Sequence, residues 1–270
     1  MPKENFRKWK DKIAVVTGAS SGIGAVTAER LAREGLHVIL VARRVERLEQ
    51  LKLLIEGQGG QASVYPADLG QAAKRELLAD DILRAYPAVD VLVNNAGLGW
   101  YGYYADMPLQ IALEILAVNV EAVAHLTRLF LPNMRNRCSG HIINIGSIAG
   151  GLPNQGIAIY AASKAFLDAF TTVLHRELRG SGVHASVVRP GPVTSEFFSV
   201  AAGRENGGEI PAKALAVPAE QVARAVWSLL RRPRRVAYVP WYLVVSPWLE
   251  HLFAPIIDRL GPLLLRQKAG

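Results

Sequence analysis

Two side chains with complementary proton chemistry, Tyr160 and Lys164, lie four positions apart in the chain. On a helix this spacing places both side chains on one face. A free phenol has a pKa of about 10 and is a poor base at neutral pH. A nearby ammonium group favours the phenolate and lowers that pKa, so the pair can act as a general acid and base. Tyr and Lys are common on helix surfaces, so the pair needs support from other motifs.

A glycine-rich turn, TGASSGIG, runs from Thr17 to Gly24 between an apolar run and an amphipathic stretch. The N-terminus of a helix offers free N–H groups and the positive end of the helix dipole, which suit a pyrophosphate. Glycines let the backbone turn tightly and come close to phosphate oxygens. The spacing G-x-x-x-G-x-G differs from the usual G-x-G-x-x-G fingerprint. An ordinary glycine-rich turn is therefore the alternative.

Apolar runs alternate with helical patterns along most of the chain, and both motifs fall at ends of such runs. The runs lie at residues 13–17, 37–42, 61–65, 89–93, 141–145, 183–188 and 235–239. This alternation is typical of a parallel sheet covered by helices on both faces. No linker or charge block interrupts it, so residues 1–270 are predicted to form a single domain.

Composition excludes several classes of protein. Half of the residues are hydrophobic and 20% are charged, which predicts a sizeable core. The net charge of +8 raises nucleic acid as a partner, but no DNA- or RNA-binding pattern accompanies it, so none is expected. The six histidines show no metal-ligand spacing with Cys138, which argues against a metal site and a zinc alcohol dehydrogenase. One cysteine and no apolar leader in residues 1–12 predict a cytoplasmic protein.

The order of these motifs resembles the short-chain dehydrogenase/reductase family, in its single-domain branch. The resemblance covers residues 12–240 and implies a Rossmann fold. This is a doubly wound parallel α/β sheet of about seven strands in the order 3-2-1-4-5-6-7, with helices on both faces. It also implies an oxidoreductase that interconverts a carbonyl and a secondary alcohol on an apolar small molecule. The motifs that carry it are the glycine turn, Asp68-Leu69, Asn94-Asn95-Ala96-Gly97, Asn119, Ser147, Tyr160 with Lys164, and Pro190-Gly191.

Four residues receive catalytic roles from this resemblance. Tyr160 would donate a proton to the carbonyl oxygen or remove one from the alcohol, while Ser147 would hydrogen-bond the same oxygen. Lys164 would lower the pKa of Tyr160 and hold the nicotinamide ribose. The backbone carbonyl of Asn119 would hold a water molecule that leads to Lys164.

The resemblance also implies cofactor contacts along the strand ends. Asp68 would contact the adenine or cap a helix, Asn95 would lie near the cofactor or tie strands together, and Thr194 would bind pyrophosphate or cap a helix. The predicted set is Gly18, Ser20, Ser21, Gly22, Ile23, Gly24, Arg43, Arg44, Asp68, Leu69, Asn95, Ala96, Gly97, Tyr160, Lys164, Pro190, Gly191, Val193 and Thr194.

The end of the second apolar run predicts the type of nicotinamide cofactor. An NAD enzyme usually has an acidic residue there for the ribose 2′-hydroxyl, whereas the 2′-phosphate of NADP needs positive charge. Arg43 and Arg44 follow this run, and no carboxylate precedes Glu46. Guanidinium groups suit phosphate, and Ser20 can add a hydroxyl. NADP(H) is therefore favoured over NAD(H), with two solvated arginines as the alternative.

Apolar residues near the strand ends indicate a substrate pocket wall, or else ordinary packing under a loop. The turn-rich segment 195–217 is predicted to be a lid. The wall candidates are Leu98, Trp100, Tyr101, Tyr103, Tyr104, Leu152, Phe197 and Phe198.

A hydrophobic C-terminal extension, 236–270, follows four arginines at 231, 232, 234 and 235. Its uncharged run is too short to span a bilayer, but arginines beside Trp and Tyr suit peripheral membrane contact through residues 231–257. A subunit contact and a cap over the pocket are the alternatives. We expect a homodimer or homotetramer.

Two rival functions remain for comparison. A non-catalytic NADP(H)-sensing protein on the same fold would not need the phenol of Tyr160. A sugar-nucleotide epimerase would have a longer chain and a different glycine spacing.

Overall fold

The computed structural model of the chain describes residues 9–208 and 216–264. The strands of its main sheet are all parallel and follow the order β3-β2-β1-β4-β5-β6-β7, which confirms the predicted doubly wound fold. They are β1 (Ile13–Thr17), β2 (His37–Ala42), β3 (Gln61–Pro66), β4 (Val91–Asn94), β5 (Gly140–Ile145), β6 (Val183–Pro190) and β7 (Val236–Val239).

Helices cover both faces of this sheet. One of them, α4, contains a π-helical turn at Ala117–Glu121. The helices of the described residues are α1 (Gly22–Arg33), α2 (Val45–Gly57), α3 (Ala72–Ala85), α4 (Leu109–Asn136), α5 (Ala158–Glu177), α6 (Phe197–Ala202), α7 (Ala219–Arg231) and α8 (Ser246–Leu264).

Strands β1 to β6 contribute to two cores because successive residues point to opposite faces of a sheet. In β1, Ala14 and Val16 belong to the core beneath α1, α2 and α7, whereas Val15 belongs to the core beneath α3, α4 and α5. All three side chains are fully buried. Burial on both faces explains why the strands read as continuous apolar runs.

The helix α4 is long and apolar enough to cross a membrane by length and composition, with a mean hydropathy of 1.5 in its most apolar window. In the fold it packs on the sheet, where Leu126, Phe130 and Met134 are buried in the second core. This packing accounts for the buried apolar residues of the helix, whereas Leu109 and Leu113 are exposed.

The segments predicted as a lid and as a C-terminal extension contain regular structure. At the two ends of the lid, Val193–Thr194 pairs in parallel with Val217–Pro218, and α6 lies within the lid; residues 209–215 lie outside the described residues. The extension begins with β7 itself. A 3-10 turn, Trp241–Val245, and α8 follow, while residues 265–270 also lie outside the described part.

Candidate active site

A cavity of about 700 Å³ opens where the carboxyl ends of the strands meet. Open α/β sheets gather their ligands at this edge because every loop that follows a strand arrives there. All predicted site residues line the cavity except Gly24, Asn119 and Thr194. Thr194 lines a smaller adjoining cavity, whereas Gly24 and Asn119 support the wall from behind.

Close backbone contacts build the glycine turn after β1. Gly18 has a φ of +65°, a conformation that favours glycine. A Cβ atom on Gly24 would lie 2.2 Å from the carbonyl oxygen of Gly18, so only glycine lets α1 pack this closely. The first residues of α1, Gly22 and Ile23, consequently lie in the cavity wall. A helix N-terminus in this position fits a pyrophosphate.

The side chains of Thr17 and Asn95 tie the glycine turn to the end of β4. Asn95 Nδ2 donates to the carbonyl oxygen of Thr17 at 2.9 Å. Thr17 Oγ1 accepts from the backbone N–H groups of Asn95 at 2.9 Å and Ala96 at 3.0 Å. Two roles were considered for Asn95, a place near the cofactor and a link between strands. The structure shows the link between the ends of β1 and β4. Thr17 is a supporting residue that sequence analysis missed, although it opens the glycine motif.

Asp68 and Thr194 do not cap helices, which removes the simpler explanation for each. Asp68 Oδ1 accepts from the backbone N–H of Gly70 at 3.0 Å, and the N-cap of α3 is Gln71. The N-cap of α6 is Glu196. The cofactor contacts of Asp68 and Thr194 stay predictions.

Arg44 joins the end of β2 to the glycine turn. Its guanidinium donates to Ser20 Oγ at 2.9 Å and to Ser21 Oγ at 2.7 Å. Arg43 is exposed and lines the same cavity. Both arginines therefore line the cavity, and their contact with a cofactor phosphate stays a prediction.

A carboxylate that sequence analysis missed, Glu196, lies beside these arginines. It accepts from Arg44 Nη1 at 3.0 Å and from Arg47 Nη1 at 2.6 Å. Hydrogen bonds from Arg47 and Arg44 lower the pKa of Glu196 from its ordinary value. Since 152 residues separate Glu196 from Arg44 in sequence, only the fold brings the two side chains together.

Tyr160 and Lys164 both line the cavity from α5, as predicted. Lys164 Nζ lies 5.6 Å from the centroid of the Tyr160 ring and donates to the carbonyl oxygen of Ile145 at 2.9 Å. Burial lowers the pKa of Lys164 to about 8, although the charge of Asp168 opposes this shift.

The prediction that Tyr160 has a lowered pKa is wrong for this structure. Burial raises the pKa of Tyr160, and a hydrogen bond with Ser147 only opposes the rise. The physical reason is that a buried phenolate loses its hydration, while the ammonium of Lys164 is directed at the carbonyl of Ile145. The phenol is protonated at neutral pH with or without this shift, because its ordinary pKa is already about 10.

Ser147 lies directly after β5 and begins a short 3-10 turn, Ile148–Gly150. Its Oγ accepts from the backbone N–H of Ala149 at 3.1 Å, which fixes the hydroxyl at the cavity wall. Ser147 and Tyr160 line the same cavity, and the Ser147 hydroxyl opposes the rise in the pKa of Tyr160. Both can therefore reach one substrate oxygen.

Asn119 lies in the π-helical turn of α4 and is fully buried. Its side chain donates to the carbonyl oxygen of Leu98 at 3.0 Å and to Ser163 Oγ at 3.0 Å, and accepts from the N–H of Leu98 at 2.8 Å. The side chain thus connects α4 to α5 and to the loop after β4. The π turn departs from regular α-helical hydrogen bonding at this point, and the water-holding role of the backbone carbonyl stays a prediction.

Apolar side chains wall the part of the cavity beyond Tyr160. Phe197, from α6, has its ring centroid 5.4 Å from that of Tyr160. Trp100 Nε1 donates to the carbonyl oxygen of Glu205 at 2.9 Å and so ties the segment after α6 to the loop after β4. Tyr103 and Tyr104 are outside this wall and exposed. The predicted residues that do line it are Leu98, Trp100, Tyr101, Leu152, Phe197 and Phe198.

The segment after β7 borders the same cavity. A Cβ atom on Gly191 would lie 2.9 Å from Leu243 Cδ1, and Gln155 Nε2 donates to the carbonyl oxygen of Ile257 at 3.3 Å. Gly191 and Gln155 are cavity residues, so this segment forms part of the rim. Large apolar side chains cover its outer surface, which we call the aromatic face: Trp241, Tyr242, Val244, Val245, Trp248, Leu249, Leu252, Phe253 and Ile256, all exposed.

A family model described as short chain dehydrogenase matches residues 12–205. Two similar curated proteins are the fatty acyl-CoA reductase of Acinetobacter baylyi, 35% identical over 84% of this chain and 76% of that protein, and the ketoacyl reductase HetN of Nostoc sp., 38% identical over 70% and 66%. A glycine betaine reductase of Emericella nidulans is 34% identical over 84% of this chain, which spans only 18% of that longer protein.

Solved structures with both nicotinamide cofactors resemble the chain. A short chain dehydrogenase/reductase from Burkholderia phymatum in complex with NAD has a TM-score of 0.83 and 26% identity, over 92% of this chain and 95% of that one. A metagenomic short-chain oxidoreductase in complex with NADP has a TM-score of 0.73 and 34% identity, over 85% and 96%.

Proposed function

The chain belongs to the short-chain dehydrogenase family of oxidoreductases, and from that premise we propose that it is an NADPH-dependent reductase of a carbonyl group on an apolar small molecule. The observation that carries this proposal is that Tyr160, Ser147 and Lys164 line one cavity that also has apolar walls. A reductase needs a proton donor beside the carbonyl oxygen, and the phenol of Tyr160 is the group that we assign to this role.

The cavity residues fit a dinucleotide. The close contact between Gly18 and Gly24 leaves room for a pyrophosphate at the N-terminus of α1, and Lys164 would hold the nicotinamide ribose. The bound nicotinamide would supply the hydride. Tyr160 then donates its Oη proton to the carbonyl oxygen, while the Ser147 hydroxyl donates a hydrogen bond to the same oxygen and stabilises its developing charge.

A preference for NADPH over NADH rests on the guanidinium of Arg44 beside Ser20 and Ser21. Positive charge and hydroxyl donors at this position suit a 2′-phosphate, which a carboxylate at the end of β2 would repel. Arg43 adds a second cation at the cavity wall. Solved relatives bind NAD or NADP, so cofactor preference has to be read from this chain's own residues.

An acyl or oxoacyl chain is the substrate class that we propose. Phe197, Phe198, Trp100 and Leu152 offer an extended apolar wall near Tyr160, and burial of a hydrocarbon chain against it would be favourable. Relatives named as a fatty acyl-CoA reductase and a ketoacyl reductase support this class.

The decisive experiment follows NADPH oxidation with purified protein and a panel of 3-oxoacyl thioesters, aliphatic aldehydes and ketones of increasing chain length. We expect turnover that improves with chain length and is lowered roughly 10²–10⁴-fold in Tyr160→Phe, the loss typical of a missing acid. NADPH should still bind to that variant. Tyr103→Phe, at an exposed residue outside the cavity, is the matched control. Near-normal turnover in Tyr160→Phe would contradict the proposed mechanism.

For the whole protein we propose a cytoplasmic, single-domain homodimer or homotetramer with a lid at 195–217 and peripheral membrane contact. The contact is assigned to the aromatic face, because Trp and Tyr favour the membrane interface. Exposure of 80% for Trp241 and 69% for Trp248 supports this assignment. The arginines at 231, 232, 234 and 235 lie between the end of α7 and the start of β7, and the four residues of that strand, about 13 Å, separate them from the aromatic face.

A further inference from the structure

A buried carboxylate, Asp168, lies one helical turn after Lys164 on α5 and belongs to none of the motifs above. Its residue exposure is only 8%. Residues i and i+4 share a helix face, so Asp168 lies on the same side of α5 as Lys164. Because a buried carboxylate is unfavourable unless it is paired, its partners indicate what it does.

Arg189, near the end of β6, is the ion-pair partner of Asp168. Arg189 Nε donates to Asp168 Oδ1 at 2.8 Å, and Arg189 Nη1 donates to the hydroxyl oxygen of Tyr238 at 2.5 Å. The pair therefore connects α5 to β6 and, through Tyr238, to β7. Arg189 immediately precedes Pro190, one of the predicted cofactor contacts.

The turn that carries Ser147 lies directly against Asp168. A Cβ atom on Gly150 would come within 2.6 Å of Asp168 Oδ2, and one on Gly146 would lie 3.5 Å from Oδ1. These two glycines flank Ser147 and its 3-10 turn. One carboxylate thus contacts both ends of the turn as well as the helix of Tyr160 and Lys164.

We propose that Asp168 is a positioning residue that keeps Lys164 charged and holds the Ser147 turn against α5. The inference rests on the proposed function, in which Lys164 holds the cofactor. The electrostatics agree with the geometry: burial lowers the pKa of Lys164, and the charge of Asp168 opposes that shift. Burial raises the pKa of Asp168 itself, while Arg189 and then Lys164 oppose the rise.

The groups that face this pair come from several elements. On α5, Tyr160 and Asp168 face Lys164. From β6, Arg189 faces Asp168, and Tyr238 of β7 reaches it through Arg189. The end of β5 and the Ser147 turn contribute backbone to these contacts.

In this proposal the ammonium form of Lys164 binds the cofactor. The affinity for NADPH should therefore depend on pH in the same way as the amount of that form. That form is complete below the pKa and is lost as the pH rises through it. NADPH affinity of the wild type should therefore fall above a pH of about 8. In Asp168→Asn the fall should begin roughly one pH unit lower, because an opposite charge no longer favours the ammonium. At pH 6 the two proteins should bind NADPH alike.

The experiment measures NADPH dissociation constants by fluorescence between pH 6 and pH 10, with a melting temperature for each protein. Asp80→Asn, at an exposed position on α3, removes the same charge elsewhere and should leave the midpoint unchanged. A midpoint shift in Asp168→Asn alone supports the inference.

An unchanged midpoint with a lowered melting temperature would make Asp168 purely structural and overturn the inference. If Asp168→Asn does not fold, the double variant Asp168→Asn with Arg189→Gln replaces the ion pair by two amides and is judged by the same midpoint. If the wild type binds NADPH with the same midpoint as the Asp168 variant, this inference alone is overturned. If the wild type does not bind NADPH, the proposed function is overturned as well.

Discussion

The pKa values of single residues in this protein depend on burial as much as on the neighbouring residues in sequence. Tyr160 and Lys164 occupy the predicted positions, but desolvation raises the pKa of the first and lowers that of the second. The spacing of the pair suggested a shared proton chemistry; the sign of the Tyr160 shift depends on how much of the phenol is covered. Burial therefore decides the direction of both pKa shifts.

A residue-scale prediction concerns Glu196, whose carboxylate forms an ion pair with Arg44. If a 2′-phosphate also needs Arg44, Glu196→Gln should tighten NADPH binding by removing a competing anion. The pair is exposed, and such pairs contribute about 0.2–1 kcal/mol, so a gain of roughly 1.4- to fivefold is expected. NADH binding should stay unchanged. Titrations with both cofactors measure the difference.

Glu49→Gln, at an exposed position on α2, is the charge-matched control for this variant. Weaker NADPH binding in Glu196→Gln would contradict the competition model. It would show instead that Glu196 holds Arg44 in its binding orientation.

The secondary-structure elements explain which features could be predicted from the sequence. Strand order could be predicted because strands buried on both faces give continuous apolar runs, and motif residues could be predicted because they follow those strands directly. The pairing of Glu196 with Arg44 and that of Asp168 with Arg189 could not, since they join distant segments. Neither the six-residue α6 nor the π turn in α4 is long enough to give a periodic pattern.

An element-scale prediction concerns the packing of the Ser147 turn on α5. In Gly150→Ala the new Cβ would lie 2.6 Å from Asp168 Oδ2 and 2.8 Å from the backbone carbon of Lys164. The turn must therefore move away from the helix, taking Ser147 with it. Since a displacement of about 1 Å can lower turnover 10²-fold, we expect at least a roughly tenfold loss of kcat with little change in NADPH affinity.

Gly57→Ala provides the comparison, because a Cβ atom there meets nothing within 4 Å. Steady-state kinetics and NADPH titration distinguish the two effects. Unchanged kcat in Gly150→Ala would mean that the position of the turn does not limit the reaction.

In the molecule as a whole, the candidate active site lies at the edge of the sheet where the strands end. The segment after β7, which we call the rim segment, borders this site and has the aromatic face on its outer surface. A prediction at this scale is that the protein cosediments with phosphatidylcholine vesicles, and that high salt does not release it. The arginines at 231–235 lie at the other end of β7, so screening of their charge should matter little.

The double variant Trp248→Ser with Leu252→Ser should lose vesicle binding. Its control is Leu53→Ser with Leu77→Ser, two apolar residues of similar exposure on α2 and α3. Protein that stays in the supernatant at low salt would rule out membrane contact. A change of oligomeric state in the first variant, without vesicle binding, would instead assign the aromatic face to a subunit contact.

The rim segment also has an evolutionary consequence. Ser147, Tyr160 and Lys164 lie within residues 12–205, the stretch that matches the family model, whereas the rim contacts come from Leu243 and Ile257. Selection can therefore reshape the entrance through mutations after residue 240 while the reaction chemistry is inherited intact. For enzyme engineering, the same division makes residues 241–257 the first stretch to randomise or exchange between relatives when a new substrate range is wanted.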